Sequence, residues 1–210
     1  MKDIGNRYEI SSLTNDKVKL INSLHHRKYR REHNLFVAEG IRICREAVEN
    51  GWEIRYLLYD NLNADVQKIE NLISDVLCLG ADVIGVTSEI LSKISHKANS
   101  QNVLCVICQK WNDLPGIIKD KTFVALETVR DPGNLGTILR TMDGVGATDC
   151  ILLDHCTDPF SYESVRASMG AIFNVNIIAS STKNFLKWKS KHEISLIGTS
   201  LINATDYTKT

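Results

Sequence analysis

Between Thr122 and Ala171 the chain uses one pattern twice: an apolar strand-like run, a polar loop containing proline, then a helix carrying an arginine. The first unit opens with Phe123-Val124-Ala125-Leu126, breaks at Asp131-Pro132-Gly133, and resumes with Leu135, Ile138, Leu139, Met142 and Val145 at helical spacing. The second opens with Cys150 to Asp154, breaks at Asp158-Pro159, and offers Ser161 as the cap of a helix bearing Arg166. Strands joined by helices require right-handed crossovers and a parallel sheet. In such a sheet the loops leave the carboxyl ends of the strands, where ligands bind. Asn134 then falls near the N-cap of its helix, among free N–H groups that suit an anion. Arg140 follows one and a half turns later and can reach back toward the same mouth or lie along the helix flank.

Taken alone, Asp131-Pro132-Gly133-Asn134 is better read as a surface turn, with Arg140 a solvated helix residue, because turn chemistry alone explains it. Two motifs in series make that reading insufficient. Glu127 through Thr141 contains D-P-G-N-x-G-x-I-x-R-T, and Asp158 through Ala171 reads D-P-F-S-x-x-x-V-R-A-S-M-G-A. In this order and separation the chain resembles the SpoU (TrmH-like) RNA ribose methyltransferases of the SPOUT superfamily. The stretch from Asn15 to Arg42, including Phe36-Val37-Ala38-Glu39-Gly40, resembles the substrate-binding domain often fused in front of that enzyme.

The front segment has its own physical logic. A helix capped by Thr14 or Asn15 would bury Val18, Ile21 and Leu24, and it runs into His25-His26-Arg27-Lys28-Tyr29-Arg30-Arg31. A cluster of cations around a tyrosine suits phosphates and stacked bases. It also suits an ordinary helix end, where cations complement the dipole. The resemblance favours RNA contact by Arg27, Lys28, Arg30, Arg31 and, from the second domain, Arg166.

Alternating strands and helices then continue to a final strand over 103–108, which specifies an α/β layer domain; the resemblance implies a ribosomal-protein-like RNA-binding fold. The expected organisation is an RNA substrate-binding domain over 1–109, a polar linker over 110–120 and a methyltransferase domain over 121–210. Within the last, strands are expected at 122–127, 149–154, 175–179 and 194–198, with helices at 134–145, 161–173 and 181–190. The lysines at 183, 187, 189 and 191 form a solvated face.

Lys+Arg and Asp+Glu balance at 25 each, so any nucleic-acid footprint must be local. No apolar run approaches a membrane span, and the N-terminus lacks a signal-peptide core, so a cytoplasmic protein is expected. The six cysteines are read as reduced thiols. Cys105 and Cys108, three apart in a strand, face opposite sides and do not converge on a metal.

The resemblance implies transfer of a methyl group from S-adenosylmethionine to a ribose 2′-oxygen of RNA, ribosomal RNA in preference to transfer RNA, by a homodimer without metal. It implies Arg140 as the catalytic-site arginine and Asn134 as the orienting residue of the same site. Arg166 and Ser168 would build the loop beside the cofactor, and Gly198, Thr199 and Ser200 would line its pocket. Glu127 and Arg130 flank the loop as structural ion-pair partners. No G-N-E-G-type or S-L-N-V-S-type segment of the family follows, so the chain is expected to be a fragment stopping before the knot of the fold, with little activity alone. Two other readings stand beside the enzyme: a non-catalytic RNA-binding protein with an incomplete methyltransferase domain, and a small-molecule α/β enzyme. The last lacks any nucleotide fingerprint such as G-x-G-x-x-G.

Overall fold

A computed structural model describes residues 4–95, 101–116 and 121–199 of the chain. The front half is a five-stranded mixed sheet in the order β1-β4-β3-β5-β2. Its strands are β1 (Arg7–Ile10), β2 (Leu35–Glu39), β3 (Ile54–Asp60), β4 (Asp82–Val86) and β5 (Val103–Cys108). β1, β4 and β3 run parallel, whereas β5 lies antiparallel to both β3 and β2. The helices α1 (Asp16–Ser23), α2 (Arg27–His33), α3 (Ile41–Glu49), α4 (Val66–Cys78) and α5 (Ser88–Ser95) cover it. β1 escapes the sequence reading because only Tyr8 and Ile10 alternate with charge over four residues, and its order comes from pairing with β4.

The expected long front helix is two helices. Asn15 Oδ1 accepts the Lys17 N–H and starts α1, which buries Val18 and Ile21. The chain then breaks at residues 24–26 and re-enters helix as α2, which ends in a left-handed Asn34. The strand parity expected for the cysteines is present: Cys105 lies in the core beneath α3 and α4, and Cys108 packs against the other face with α1 and α5.

The second half is a three-stranded parallel sheet, β6 (Phe123–Glu127), β7 (Asp149–Leu153) and β8 (Asn176–Ser180), in that order. Its helices are α6 (Pro132–Gly144), α7 (Tyr162–Ser168) and α8 (Thr182–Lys191). The helix expected over 161–173 stops at Ser168, because Met169 and Gly170 take positive φ, and a single 3-10 turn follows at Ala171–Phe173. The strand expected at 194–198 does not form. Ile194 packs beside Phe123, Ala125, Phe185 and Trp188, while Leu196 and Ile197 are exposed; an apolar run becomes a strand only when a neighbouring backbone pairs with it.

One apolar core runs through both halves. Phe36 of β2 and Trp52 meet Phe160 and Phe173, with ring centroids 4.9–6.4 Å apart, and Trp52 Nε1 donates to the Phe173 carbonyl at 3.0 Å. The polar stretch after β5 is docked as well. Asn112 N–H bonds the Ile177 carbonyl at 2.9 Å, and Trp188 Nε1 bonds that of Pro115 at 2.8 Å. The two sheets are therefore held by shared aromatic packing, and residues 111–115 lie along β8 and α8.

Candidate active site and RNA-facing surface

Because β6, β7 and β8 are parallel, the loops after all three leave the same edge of the sheet. The loop after β6 turns at Thr128, whose φ is +59°, and enters α6 at Pro132. Proline is favoured there because its missing N–H would have no helical partner. Asp131 is the cap: its Oδ1 accepts the Asn134 N–H at 2.6 Å. Asn134 is thus in the first turn, three positions past the cap, with its amide side chain exposed.

Gly136 explains the second glycine of the motif. A Cβ there would stand 2.5 Å from Ala167 Cβ and 2.6 Å from the Ser164 carbonyl oxygen, so only glycine lets α6 cross α7 this closely. Ser164 Oγ closes the crossing with a bond to the Pro132 carbonyl at 3.2 Å. Arg140 lies one turn beyond Gly136 on the flank of this seam and is exposed. Six residues separate it from Asn134, about 9 Å along the axis, and its side chain leans toward the helix N-terminus. Glu127 and Arg130 are both exposed and form no ion pair with each other among the described residues, so the expected structural pairing is absent.

The second motif ties the two halves of the chain together. Asp158 is buried, and its Oδ2 accepts from Arg30 Nε at 3.0 Å and Nη2 at 2.7 Å. Arg30 Nη1 donates in addition to the Leu24 and His25 carbonyls, each at 2.7 Å. Arg30 is only 4% exposed. The expectation that it contacts RNA is therefore corrected: four of the five guanidinium N–H groups are committed to a buried carboxylate and two carbonyls, and the side chain is too deeply buried to meet a phosphate. Its neighbours Arg27, Lys28 and Arg31 are exposed, and Lys28 Nζ sits 5.5 Å from the Tyr29 ring centroid.

Arg166 is exposed on the far side of α7 from α6 and lines a hollow with Val37, Ile41 and Met169 of about 310 Å³. Ser168 is fully buried, its hydroxyl given to the Val165 carbonyl at 2.7 Å, so it supports the turn at the end of α7. Gly198 and Thr199 are exposed, and nothing stands within 4 Å of the position a Gly198 Cβ would take. Ser200 lies outside the described residues. The described residues thus bring Asn134 and Arg140 onto one helix.

At the edge shared by β7 and β8 a cleft of about 450 Å³ opens toward α2, lined by Arg27, Arg31, Trp111, Asp154, Ser180 and Asn184, among others. Asp154, at φ +50°, accepts the Thr182 N–H and hydroxyl at the start of α8, whose N-cap is Ser181; the hydroxyl first, then the amide, holds the Asp154 carboxyl below the usual carboxylate range. The placement of Trp111 in this cleft and the pairing of Asp158 with Arg30 are features the sequence reading missed. A tryptophan in an otherwise polar connection was the available signal for the first; the second becomes visible only through Arg30.

A profile of the MRM3-like substrate binding domain matches residues 15–105, and that of the SpoU rRNA Methylase family matches 121–210. An rRNA methyltransferase from Sinorhizobium meliloti superposes with a TM-score of 0.90 at 36% identity, over 98% of this chain and 78% of that one. The chain belongs to the SpoU rRNA methylase family. An AdoMet-bound structure of an rRNA methyltransferase from the same organism aligns at 38% identity and a TM-score of 0.81, over 89% of this chain and 69% of that one. Among curated SpoU relatives, the 23S rRNA (guanosine(2553)-2'-O)-methyltransferase RlmP of Bacillus subtilis is 26% identical over 95% of this chain and 76% of its own length. The 23S rRNA (uridine(2479)-2'-O)-methyltransferase of Streptomyces viridochromogenes is 30% identical over 67% of this chain, which spans 49% of that enzyme.

Proposed function

We propose that this SpoU chain methylates a ribose 2′-oxygen of ribosomal RNA, using S-adenosylmethionine as methyl donor. The observation that carries the reading is the start of α6, where Asp131 and Asn134 stand at the carboxyl edge of a parallel sheet, with Arg140 further along the same helix, which Gly136 locks against α7. Bound S-adenosylmethionine supplies an electrophilic methyl group on a sulfonium. The chain's own task is to hold the ribose hydroxyl in line with it and to stabilise the charge that develops on oxygen. Arg140 presents N–H donors and no acceptor, so it holds the adjacent phosphate and polarises the 2′-hydroxyl rather than removing its proton. Asn134, exposed beside it, orients the reacting groups from the helix start.

Ribosomal RNA is preferred to transfer RNA because the relatives named above act on it. The active form is a homodimer, a reading supported by Val145, Leu186 and Ile197, which are 75%, 47% and 77% exposed on the methyltransferase half. Light scattering on the purified protein tests the assembly. For the chemistry, methyl transfer to ribosomal RNA is compared between the native protein and Arg140→Ala. Loss of transfer with an unchanged unfolding midpoint is expected; equal transfer by both removes Arg140 from the site.

A further inference from the structure

The cleft between α2 and the ends of β7 and β8 has a composition that the reaction itself does not require. Trp111 is 41% exposed, yet it is rigid: its indole N–H donates to Gln109 Oε1 at 3.0 Å, and its ring meets Phe160 edge-on at 5.1 Å between centroids. Gln109 is itself buried and donates to the Arg30 and Leu35 carbonyls, each at 3.2 Å, tying the platform to α2 and β2. Facing it, Arg27 and Arg31 stand one helical turn apart on α2 and have no ion pair or hydrogen bond within the described residues. The adjoining N-terminus of α8 is already taken by Asp154. Among the described residues, the free positive charge of the cleft is therefore the two guanidinium groups, and its large exposed apolar side chain is the Trp111 indole, with Ala179 beside it.

A pinned aromatic face beside two unpaired arginines matches a nucleotide, with the base on the ring and the flanking phosphates on the guanidinium groups. The cleft opens on the sheet edge from which the Asp131–Asn134 loop also leaves, so a strand lying along that edge reaches both. Building on the RNA-substrate reading above, we propose that Trp111, Arg27 and Arg31 form a seat for one unpaired nucleotide of the RNA beside the nucleotide being methylated. Residues at the junction of the two halves thereby take part in substrate recognition, and the shared core that fixes the junction sets the distance between seat and site.

The test uses intrinsic fluorescence with a short oligoadenylate RNA as probe. Of the three tryptophans, Trp52 and Trp188 are only 6% and 9% exposed, so a base stacking on an indole quenches Trp111. Quenching is expected for the native chain and lost in Trp111→Leu, with binding by anisotropy weakened roughly tenfold or more, as for loss of one stacked base. Arg27→Gln with Arg31→Gln leaves the fold untouched because both side chains are exposed; it is expected to lower the slope of log affinity against log salt by roughly 1.4, two single-strand phosphate contacts at about 0.7 each. No quenching in the native chain, quenching that persists in Trp111→Leu, or an unchanged salt slope in the double variant each overturns the seat. Methyl transfer to ribosomal RNA is followed in parallel. If the native chain quenches but transfers no methyl group, the catalytic reading fails and the seat stands; if it transfers methyl while both variants bind as the native chain does, the seat alone fails.

Discussion

Replacing Asp158 by alanine removes the only carboxylate bonded to Arg30 among the described residues and leaves a guanidinium that is 4% exposed. Two bonds to the Leu24 and His25 carbonyls remain, but no counter-charge. Breaking a buried pair from one side costs about 3–5 kcal/mol, because the surviving charge stays desolvated. The Phe160 N–H, which Asp158 Oδ1 accepts at 3.0 Å, loses its acceptor too, for about 1 kcal/mol more. In urea, with a slope near 2 kcal/mol/M, a loss of about 4–6 kcal/mol lowers the unfolding midpoint by about 2–3 M. Removing both charges together, as Arg30→Met with Asp158→Ala, should recover much of this loss, since the cost lies in the orphaned ion rather than in the missing bond. Tryptophan fluorescence follows the transition. A midpoint shift below about 0.5 M for Asp158→Ala, or a double variant no more stable than the single, would refute the assignment of Arg30 to the core.

Three further results follow from the same structure. Gly136→Ala places a methyl group 2.5 Å from Ala167 Cβ and 2.6 Å from backbone, so it should destabilise the protein by about 1–3 kcal/mol in denaturant unfolding, although alanine is the better helix former. Under native conditions at neutral pH, iodoacetamide should label exposed Cys78 first and leave Cys150 untouched, since burial chiefly, with Cys156 nearby, pushes that thiol up to about 12; mass spectrometry after partial labelling reads the order. Burial raises the Asp60 carboxyl, but bonds from Ser88, Asn63 and two backbone N–H groups outweigh it and hold it below the usual 3.8. Its contribution is complete above that value and is lost as pH falls through the lowered one, so Asp60→Asn should flatten acid destabilisation below about pH 4 and leave its slope at neutral pH unchanged.

Much of the architecture was legible because periodicity and turn chemistry act locally. The alternation around Asp131-Pro132-Gly133 and Asp158-Pro159 placed β6, α6, β7 and α7 within a few residues of where they lie. The failures share one cause, since each depends on a partner distant in sequence. β1 has no strong pattern of its own and is made by β4; residues 194–198 have the pattern but pair with no strand among the described residues. Arg30 and Arg31 are adjacent cations in a basic run, and only Asp158, far along the chain, sends one inward and leaves the other on the surface. Trp111 sat in a stretch read as linker, yet Gln109 and Phe160 make it a fixed wall. The same limit applies to the site. Motif spacing located Asn134 and Arg140, whereas the closeness of α6 and α7 at Gly136, which fixes where that helix start sits, emerged only from the packing.

The central claim, methylation at a ribose oxygen, has a chemical signature that is the same whichever nucleotide is the target. Alkaline cleavage of RNA requires a free 2′-hydroxyl, so a methylated ribose protects the bond that follows it. Ribosomal RNA incubated with the protein and methyl-labelled S-adenosylmethionine should carry label that survives alkali in dinucleotides and disappears in Arg140→Ala. Label released as mononucleotides would place the methyl group on a base, and no incorporation by the native protein would contradict the enzymatic reading altogether.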